Sequence, residues 1–452
     1  FDINSGDQVW TVSKLDTAFN KEWERVYVVG TTQFLSSKYY DNGTLYFLFS
    51  RNEPKNKNLE LISFDEKEGS ASSVVIPNFI PIDFFDFKVS NNAVLIGGYF
   101  NTRPLVIMYD LLEGIPAILP GLFGNRMELI QLQINDDQTF EITVSARDIN
   151  KVATIYLNKY NNQGGLINSI KVETERNKDL IFEMPLKLSK ENNLVAGVYG
   201  RYFSDYSKGV FVSKIDKNEN QEIKYYSYGE LKNFFNFLKD RREQRVRNKI
   251  ERRRIKDKEL KFKYRLLVHD VVNNGDQVIL MGEAFYPKYR IVNNRYDGPG
   301  RVIETFNNGF VSSSRVFEGY RYTHAVVIGF DKNGKLLWDN SFEINDILTF
   351  NLERFVHVSL NEEKIALLYV YDNYIRSKVI FENSVIDDKR LTPISSSFEQ
   401  DVVDDKSTKI YGLENWYNKM FYVHGTQKIK NLSADGVELN REVFFINKVI
   451  YK

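Results

Sequence analysis

The stretch IDFFDFKVSNNAVLIGGYFNTRPLVIMYD, residues 82–110, decides the fold. Ile82, Phe84 and Phe87 lead to Val89, with the alternation of apolar and polar residues that a strand needs. Asn91-Asn92 then supplies a turn, since Asn tolerates positive φ. Residues 93–99 read as a second, more apolar strand, residues 105–109 as a third, and residues 110–114 turn into a fourth. The same succession recurs along the chain. Its turns read Asp41-Asn42-Gly43, Asn91-Asn92, Asn135-Asp136-Asp137, Asn192-Asn193, Asn273-Asn274-Gly275, Asn361-Glu362 and Trp416-Tyr417-Asn418. The strands after them begin near Leu45, Ala93, Phe140, Leu194, Val278, Ile365 and Met420. A repeat of about 45 to 55 residues with four strands is that of a propeller blade. The pattern predicts an all-β fold, a seven-bladed β-propeller over residues 1–452, with eight blades as the alternative count.

The last repeat stops after the strand 443–450. Residues 9–16 read like residues 210–216, so an N-terminal strand is expected to complete the C-terminal blade and remove two free edges. Numbering that begins at Phe1 points to a processed or trimmed terminus and is compatible with a removed signal peptide. The chain has no cysteine, which excludes disulfides, thiolate metal sites and cysteine nucleophiles. No apolar run approaches the roughly 20 residues of a spanning helix. The net charge of +1 provides no global field for nucleic acid. That balance conceals a local excess: residues 239–263 hold 13 basic and 5 acidic side chains, a net +8, leaving −7 for the remainder.

Two intervals exceed the repeat, and each holds an insertion. The first, residues 228–263, reads as a basic amphipathic helix. Ser227 and Glu230 have capping-box spacing. Leu231, Phe234, Phe235, Leu238, Val246 and Ile250 fall on one face. A continuous helix of about 35 residues would reach about 50 Å, and a break near Arg254 would give a two-part arm. The second insertion, residues 286–322, is rich in aromatics and arginine and reads as an extended hairpin or ordered loop, with Gly298-Pro299-Gly300 as a turn. The first joins the last strand of one blade to the first strand of the next. The second joins the middle strands of that next blade. In an up-and-down blade both connections emerge at the same end, so both insertions are expected on one face.

The basic helix suits an acidic protein surface, with phosphates or lipid headgroups as competitors. The partner-binding residues expected on the first insertion are Phe234, Phe235, Leu238, Arg241, Arg242, Arg245, Lys249 and Arg253. On the second they are Tyr286, Tyr289, Arg290, Arg295, Tyr296, Arg301 and Tyr320. Aromatic and arginine side chains are the types that concentrate in protein interfaces. Glycan binding or cleavage is the competing function, with Tyr286, Tyr289, Tyr296 and Tyr320 as sugar-stacking groups. Its candidate carboxylates are Glu283, Asp83 and Asp86 on strands expected near the channel. His269, His324, His357 and His424 lack the spacing of a helical metal site; His324 and His424 are candidates to reach a central channel, while His357 reads as a core residue. Neither a metal nor a cofactor is expected, and no catalytic motif appears. The segment DKNGKLLW, residues 331–338, resembles the Asp/Gly…Trp corner of quinoprotein-type blades. It occurs once in good form. Asp331 and Gly334 would shape a hairpin, and Trp338 would dock on the neighbouring blade.

The Asn-, Lys-, Tyr- and Phe-rich blades and the passage THAVVIGFDKNGKLLWDNSF, residues 323–342, resemble envelope propellers of Bacteroidota. Among these the chain is most similar to the Plug subunits that close the periplasmic mouth of the type 9 secretion translocon. The resemblance implies a non-enzymatic, periplasmic protein associated with the outer membrane. Its implied partner is an outer-membrane barrel or other envelope protein, met by a propeller that is monomeric within a hetero-complex, without nucleic acid and without a membrane span of its own.

Overall fold

The computed structural model describes the chain except residues 1, 5–6, 52–57, 78–79, 91, 125, 136, 148–151, 176, 188–192, 202–203, 205, 257, 259, 263, 294–312, 346, 361–363, 395–400, 418–419, 433–437 and 452. The fold is a seven-bladed β-propeller with one α-helix. The blades are the antiparallel sheets of residues 33–76, 83–118, 127–172, 178–227, 265–343, 357–393 and 402–450, numbered 1 to 7 here. The second strands begin at Thr44, Ala93, Phe140, Asn193, Gln277, Ile365 and Met420, within one residue of the sequence expectation. Asn42 and Gly43 take φ of 46° and 79°, the left-handed pair a two-residue hairpin requires.

The chain divides into two compact units, Phe1–Asp179 and Leu180–Lys452. In the first unit the opening strands of successive blades lie side by side: Gln33–Asp41 with Asp83–Ser90, and Asp83–Ser90 with Met127–Ile134. Apolar clusters fill the spaces between sheets. Val94 and Ile96 face blade 1, while Leu95 between them faces blade 3. The N-terminal residues depart from expectation. Asp2–Asn4, Asp7–Leu15 and Lys21–Val29 pair with one another as a separate three-stranded sheet. That sheet packs its face on blade 1 through Trp10, Val12, Trp23 and Tyr27, against Phe49, Ile62 and Phe64. Among the described residues no ladder joins it to blade 7, so it does not complete the C-terminal blade. The physical reason is the Trp23 ring, which covers Gly69 and donates Nε1–H to the Glu66 carbonyl at 2.9 Å.

In the second unit the period-two logic repeats. Val278 and Leu280 enter the cluster shared with blade 4, and Ile279 and Met281 the cluster shared with blade 6. Blade 7 is built from its own strands: Met420–Leu432 pairs with Glu438–Ile450 on one edge and with Lys409–Asn415 and Val402–Val403 on the other.

The turn at Asp331 is not unique. Its Oδ1 accepts the backbone N–H groups of Asn333 and Lys335, both at 2.8 Å. Asp16, Asp65, Asp110, Asn161 and Asp216 close the corresponding turns in the same way. The turn hydrogen bonds thus recur, while the full Asp/Gly…Trp corner stands once, at Asp331, Gly334 and Trp338. Gly334 occupies its left-handed position at φ 74°, but Glu219 and Phe19 occupy the equivalent position at φ 64° and 68°, which hides the repeat from a glycine-based reading. Trp338 does lie in the apolar cluster shared with blade 6.

Candidate interaction surface on blades 4 to 6

Blade 4 ends at Ser227 and blade 5 begins at Arg265, so the first insertion lies between them. The Glu230 carboxylate accepts the Ser227 N–H, as a capping box would, yet no helix starts there. Residues 228–238 instead form a turned, non-helical segment that belongs to the core. Tyr228 and Phe234 stack with centroids 4.3 Å apart, and Phe235 packs on Phe262 at 5.3 Å. Phe234 and Phe235 are buried, which corrects their assignment to a partner-binding surface: they fill the space between blades 4 and 5. Leu238 is half-buried against the same cluster.

Asp339, on the outer strand Leu336–Glu343 of blade 5, fixes this segment. Its buried carboxylate accepts the N–H groups of Lys232 and Asn233, each at 2.7 Å. The Asn233 amide donates to the Asp339 carbonyl at 2.8 Å, and Ser341 Oγ donates to the Asn233 carbonyl at 2.8 Å. Burial raises the Asp339 pKa above its ordinary value, against the opposing effect of the two donated hydrogen bonds. These contacts use residues 232–233 for tertiary bonding, which explains why a helix does not begin at Glu230.

The helix α1, Asp240–Arg254, begins after this segment and ends at the expected break. It has no fully buried residue. Val246 and Ile250 lean on the cluster between blades 4 and 5, with the Ile250 side chain over Gly229. Arg247 Nε–H donates to Glu243 Oε1 at 2.7 Å and Arg247 Nη2 donates to the Lys232 carbonyl. The inward face is thereby held. Arg241, Arg242, Arg245, Lys249 and Arg253 are exposed, as the sequence predicts.

The second insertion grows out of blade 5 itself. Gln277–Asn293 and Ser313–Asp331 pair continuously, from Gln277↔Asp331 to Asn293↔Ser313. The expected hairpin is present in both arms; Arg295, Tyr296, Arg301 and the Gly298-Pro299-Gly300 turn lie outside the described residues. Leu348–Thr349 adds a third strand beside Tyr320 and Arg321. Rings run along this extension: Tyr289 meets Phe317 at 5.7 Å, Phe317 meets Tyr320 at 5.0 Å, and Tyr320 meets Phe285 at 5.5 Å. Tyr286 and Tyr320 are half-buried, whereas Tyr289 is 52% and Phe350 72% exposed. Arg290 is exposed and lies 3.8 Å from Glu318, which also pairs with Lys288 at 2.9 Å.

His324 ties the two insertions together at the hairpin base. Its ring stacks on Phe237 at 3.7 Å and 8°, meets the Phe234 edge at 4.9 Å, and lies 2.9 Å by Nδ1 from Thr323 Oγ1. It is buried, which overturns its expected reach to a channel, and burial pushes its pKa down to about 3. The His424 ring likewise sits among Tyr411, Tyr422 and Phe444. Sequence reasoning missed Asp339, Phe237 and Phe350. An Asp inside an apolar strand was the signal available for Asp339.

Of the candidate carboxylates of a glycan-cleaving site, Glu283 and Asp86 hold structural partners. Glu283 is buried and accepts the N–H groups of Phe355 at 3.0 Å and Val356 at 2.7 Å, with His269 Nε2 at 3.2 Å. It anchors the chain entering blade 6. His357, half-buried beside this point, has its pKa lowered to about 4 by burial and by the nearby charges of Arg354 and His269. Asp86 accepts the Phe87 N–H and pairs with Lys88 at 2.9 Å; Asp83 is exposed. Among the described residues no group of three or more metal-binding side chains is found.

No family model matches the chain, and no curated protein matches it. Solved structures similar to it include β-propellers. The β-propeller domain of the Trilobed protease from Pyrococcus furiosus matches at 10% identity and TM-score 0.41, over 90% of this chain and 95% of that one. The polysaccharide lyase Uly1 matches at 9% and 0.44, over 92% and 89%. The acylaminoacyl peptidase of Pyrococcus horikoshii matches at 10% and 0.40, over 90% of this chain; the chain spans about half of that protein's length, 52%.

Proposed function

We propose that this protein is a non-enzymatic interaction protein of the bacterial envelope. In this reading it docks by its decorated end on an outer-membrane translocon and closes the periplasmic opening during protein secretion. The observation that carries the reading is the joint built by His324. Through it a basic helix and an aromatic hairpin, inserted at separate points in the sequence, share one rigid base and present exposed arginines and rings. Exposed aromatic and arginine side chains on a stiff support are the usual anchors of a protein interface. The commitment of Glu283 to backbone N–H groups and of Asp86 to the Phe87 N–H and Lys88 favours docking over catalysis, leaving Asp83 alone among the candidate carboxylates. No helix among the described residues is long and apolar enough to cross a membrane, so the reading places membrane association in the partner.

The test trims the hairpin. Lys288 and Gly319 lie opposite each other in the ladder, so residues 289–318 can be replaced by Asn-Gly while the register is kept. The trimmed protein is expected to fold and to lose its envelope partner in native affinity purification. Retention of the same partner at wild-type yield would contradict the reading. Excising residues 230–261 would not serve, because Leu231, Phe234 and Phe235 are core.

A further inference from the structure

We propose that the outward face of α1 is a docking site for a short acidic segment of a protein partner, with Arg241, Arg245, Lys249 and Arg252 each meeting a carboxylate. The proposal rests on the interaction reading and names the chemistry that would be recognised. These four residues lie at i, i+4, i+8 and i+11, a stripe on the solvent side of the helix beside the face that carries Val246 and Ile250. All four are exposed, and among the described residues none has an ion-pair partner. The placement of the first three is unfavourable for the helix itself, while Arg252 stands in the last turn, where a cation suits the dipole. Arg241 stands in the first turn, where a cation opposes the helix dipole. Arg241, Arg245 and Lys249 are also like charges one turn apart, which repel. A helix serving only as a soluble surface gains from acidic residues at positions 241 and 245.

The chemistry of the occupant follows from three features. The stripe is mostly arginine, whose planar fork matches a carboxylate with two parallel hydrogen bonds; a diffuse cation surface works as well with lysine. From Arg241 to Arg252 it runs about 16 Å, the length of about five extended residues or three helical turns. The chain as a whole carries only +1, so no global field adds to the stripe to hold a long polyanion such as nucleic acid. The apolar side of the helix is already packed on the protein, which leaves nothing to enter a bilayer as an amphipathic helix does.

The experiment uses the full chain and a fluorescein-labelled octaglutamate peptide, read by anisotropy at low and moderate salt. Competitors are a 20-nucleotide single-stranded DNA and phosphatidylcholine vesicles containing phosphatidylglycerol. The wild type should bind the peptide, and the triple variant R241E/R245E/R252E, its helix verified by circular dichroism, should bind at least about tenfold more weakly. The triple variant R241K/R245K/R252K should lose about threefold, since charge remains and the fork does not. Absent peptide binding, equal binding by the Glu variant, an unaffected Lys variant, or stronger binding of DNA or vesicles than of peptide would each overturn the proposal. Such a failure leaves the interaction reading standing if hairpin trimming still releases the partner. Partner retention by the trimmed protein sinks that reading alone.

Discussion

Blades 2 and 5 are made of the same four antiparallel strands, yet they end differently. In blade 2 the middle strands, Ala93–Phe100 and Arg103–Asp110, stop together at Asn101 and Thr102, whose φ of 47° and 64° close a two-residue hairpin. In blade 5 the equivalent strands, Gln277–Asn293 and Ser313–Asp331, continue for 17 and 19 residues. The inner parts of both are apolar, because each strand must feed alternate side chains to two clusters. Beyond the blade the rings come out into solvent, and exposed Tyr289 and nearby Phe350 stand where buried Leu and Val stood further in. The difference separates residues whose identity is explained by packing from residues whose identity is not.

That separation predicts unequal mutational costs. The largest belongs to Phe234, which sequence periodicity placed on a helical face. Phe234→Ala should destabilise by about 3–5 kcal/mol in urea unfolding, because it empties a buried site stacked on Tyr228. A loss below about 1 kcal/mol would mean that this segment is peripheral, as first read from the sequence.

The next effect is a pH dependence. The His324 folded pKa, about 3, lies below the ordinary 6.5, so the unfolded chain takes up a proton below pH 6.5 that the folded chain refuses. Stability therefore falls as pH drops from 6.5 towards 3, by on the order of 4 kcal/mol from this group. His324→Phe preserves the stack on Phe237 and should remove that share of the acid sensitivity. Parallel stability–pH curves for the two proteins would show instead that the imidazole is accessible to protons.

Asp339 comes third. Asp339→Ala leaves the N–H groups of Lys232 and Asn233 without acceptors and should cost about 2–3 kcal/mol, with faster amide exchange confined at first to residues 228–238. Uniform acceleration through blade 5 would show that Asp339 supports the sheet rather than the insertion.

These cases also show how far the sequence carried. The Asn-rich turns and the strands after them were readable because hairpin geometry restricts the residues that can stand there. The turns at Asp110, Asp216 and Asp331 are legible from the sequence, whereas the turn at Asp16 is not, since Phe19 occupies the left-handed position where a glycine would mark it. The capping-box spacing predicts a helix from Glu230, whereas α1 begins at Asp240. Ser227 and Glu230 do meet as a cap would, but Asp339, more than a hundred positions away, claims the amides of Lys232 and Asn233. Local spacing cannot report a competitor so distant in sequence. The exposed arginines of α1 were identified correctly, because a charged outer face requires only the helical period.

The smallest effect has the opposite sign. Arg241→Glu places an anion at the favourable end of the helix dipole and should stabilise the protein by about 0.3–1 kcal/mol. Greater stability combined with weaker binding of an acidic peptide would mark Arg241 as a residue retained for contact. A destabilisation would instead assign it an intramolecular role.

The central claim is that the interruptions of the blade repeat carry the partner while the blades carry the fold. Native affinity purification of the protein with residues 289–318 replaced by Asn-Gly, set beside the wild type, tests it most directly. The account predicts an unchanged unfolding midpoint and loss of the wild-type partner. An unchanged midpoint with the partner recovered at wild-type yield would contradict it.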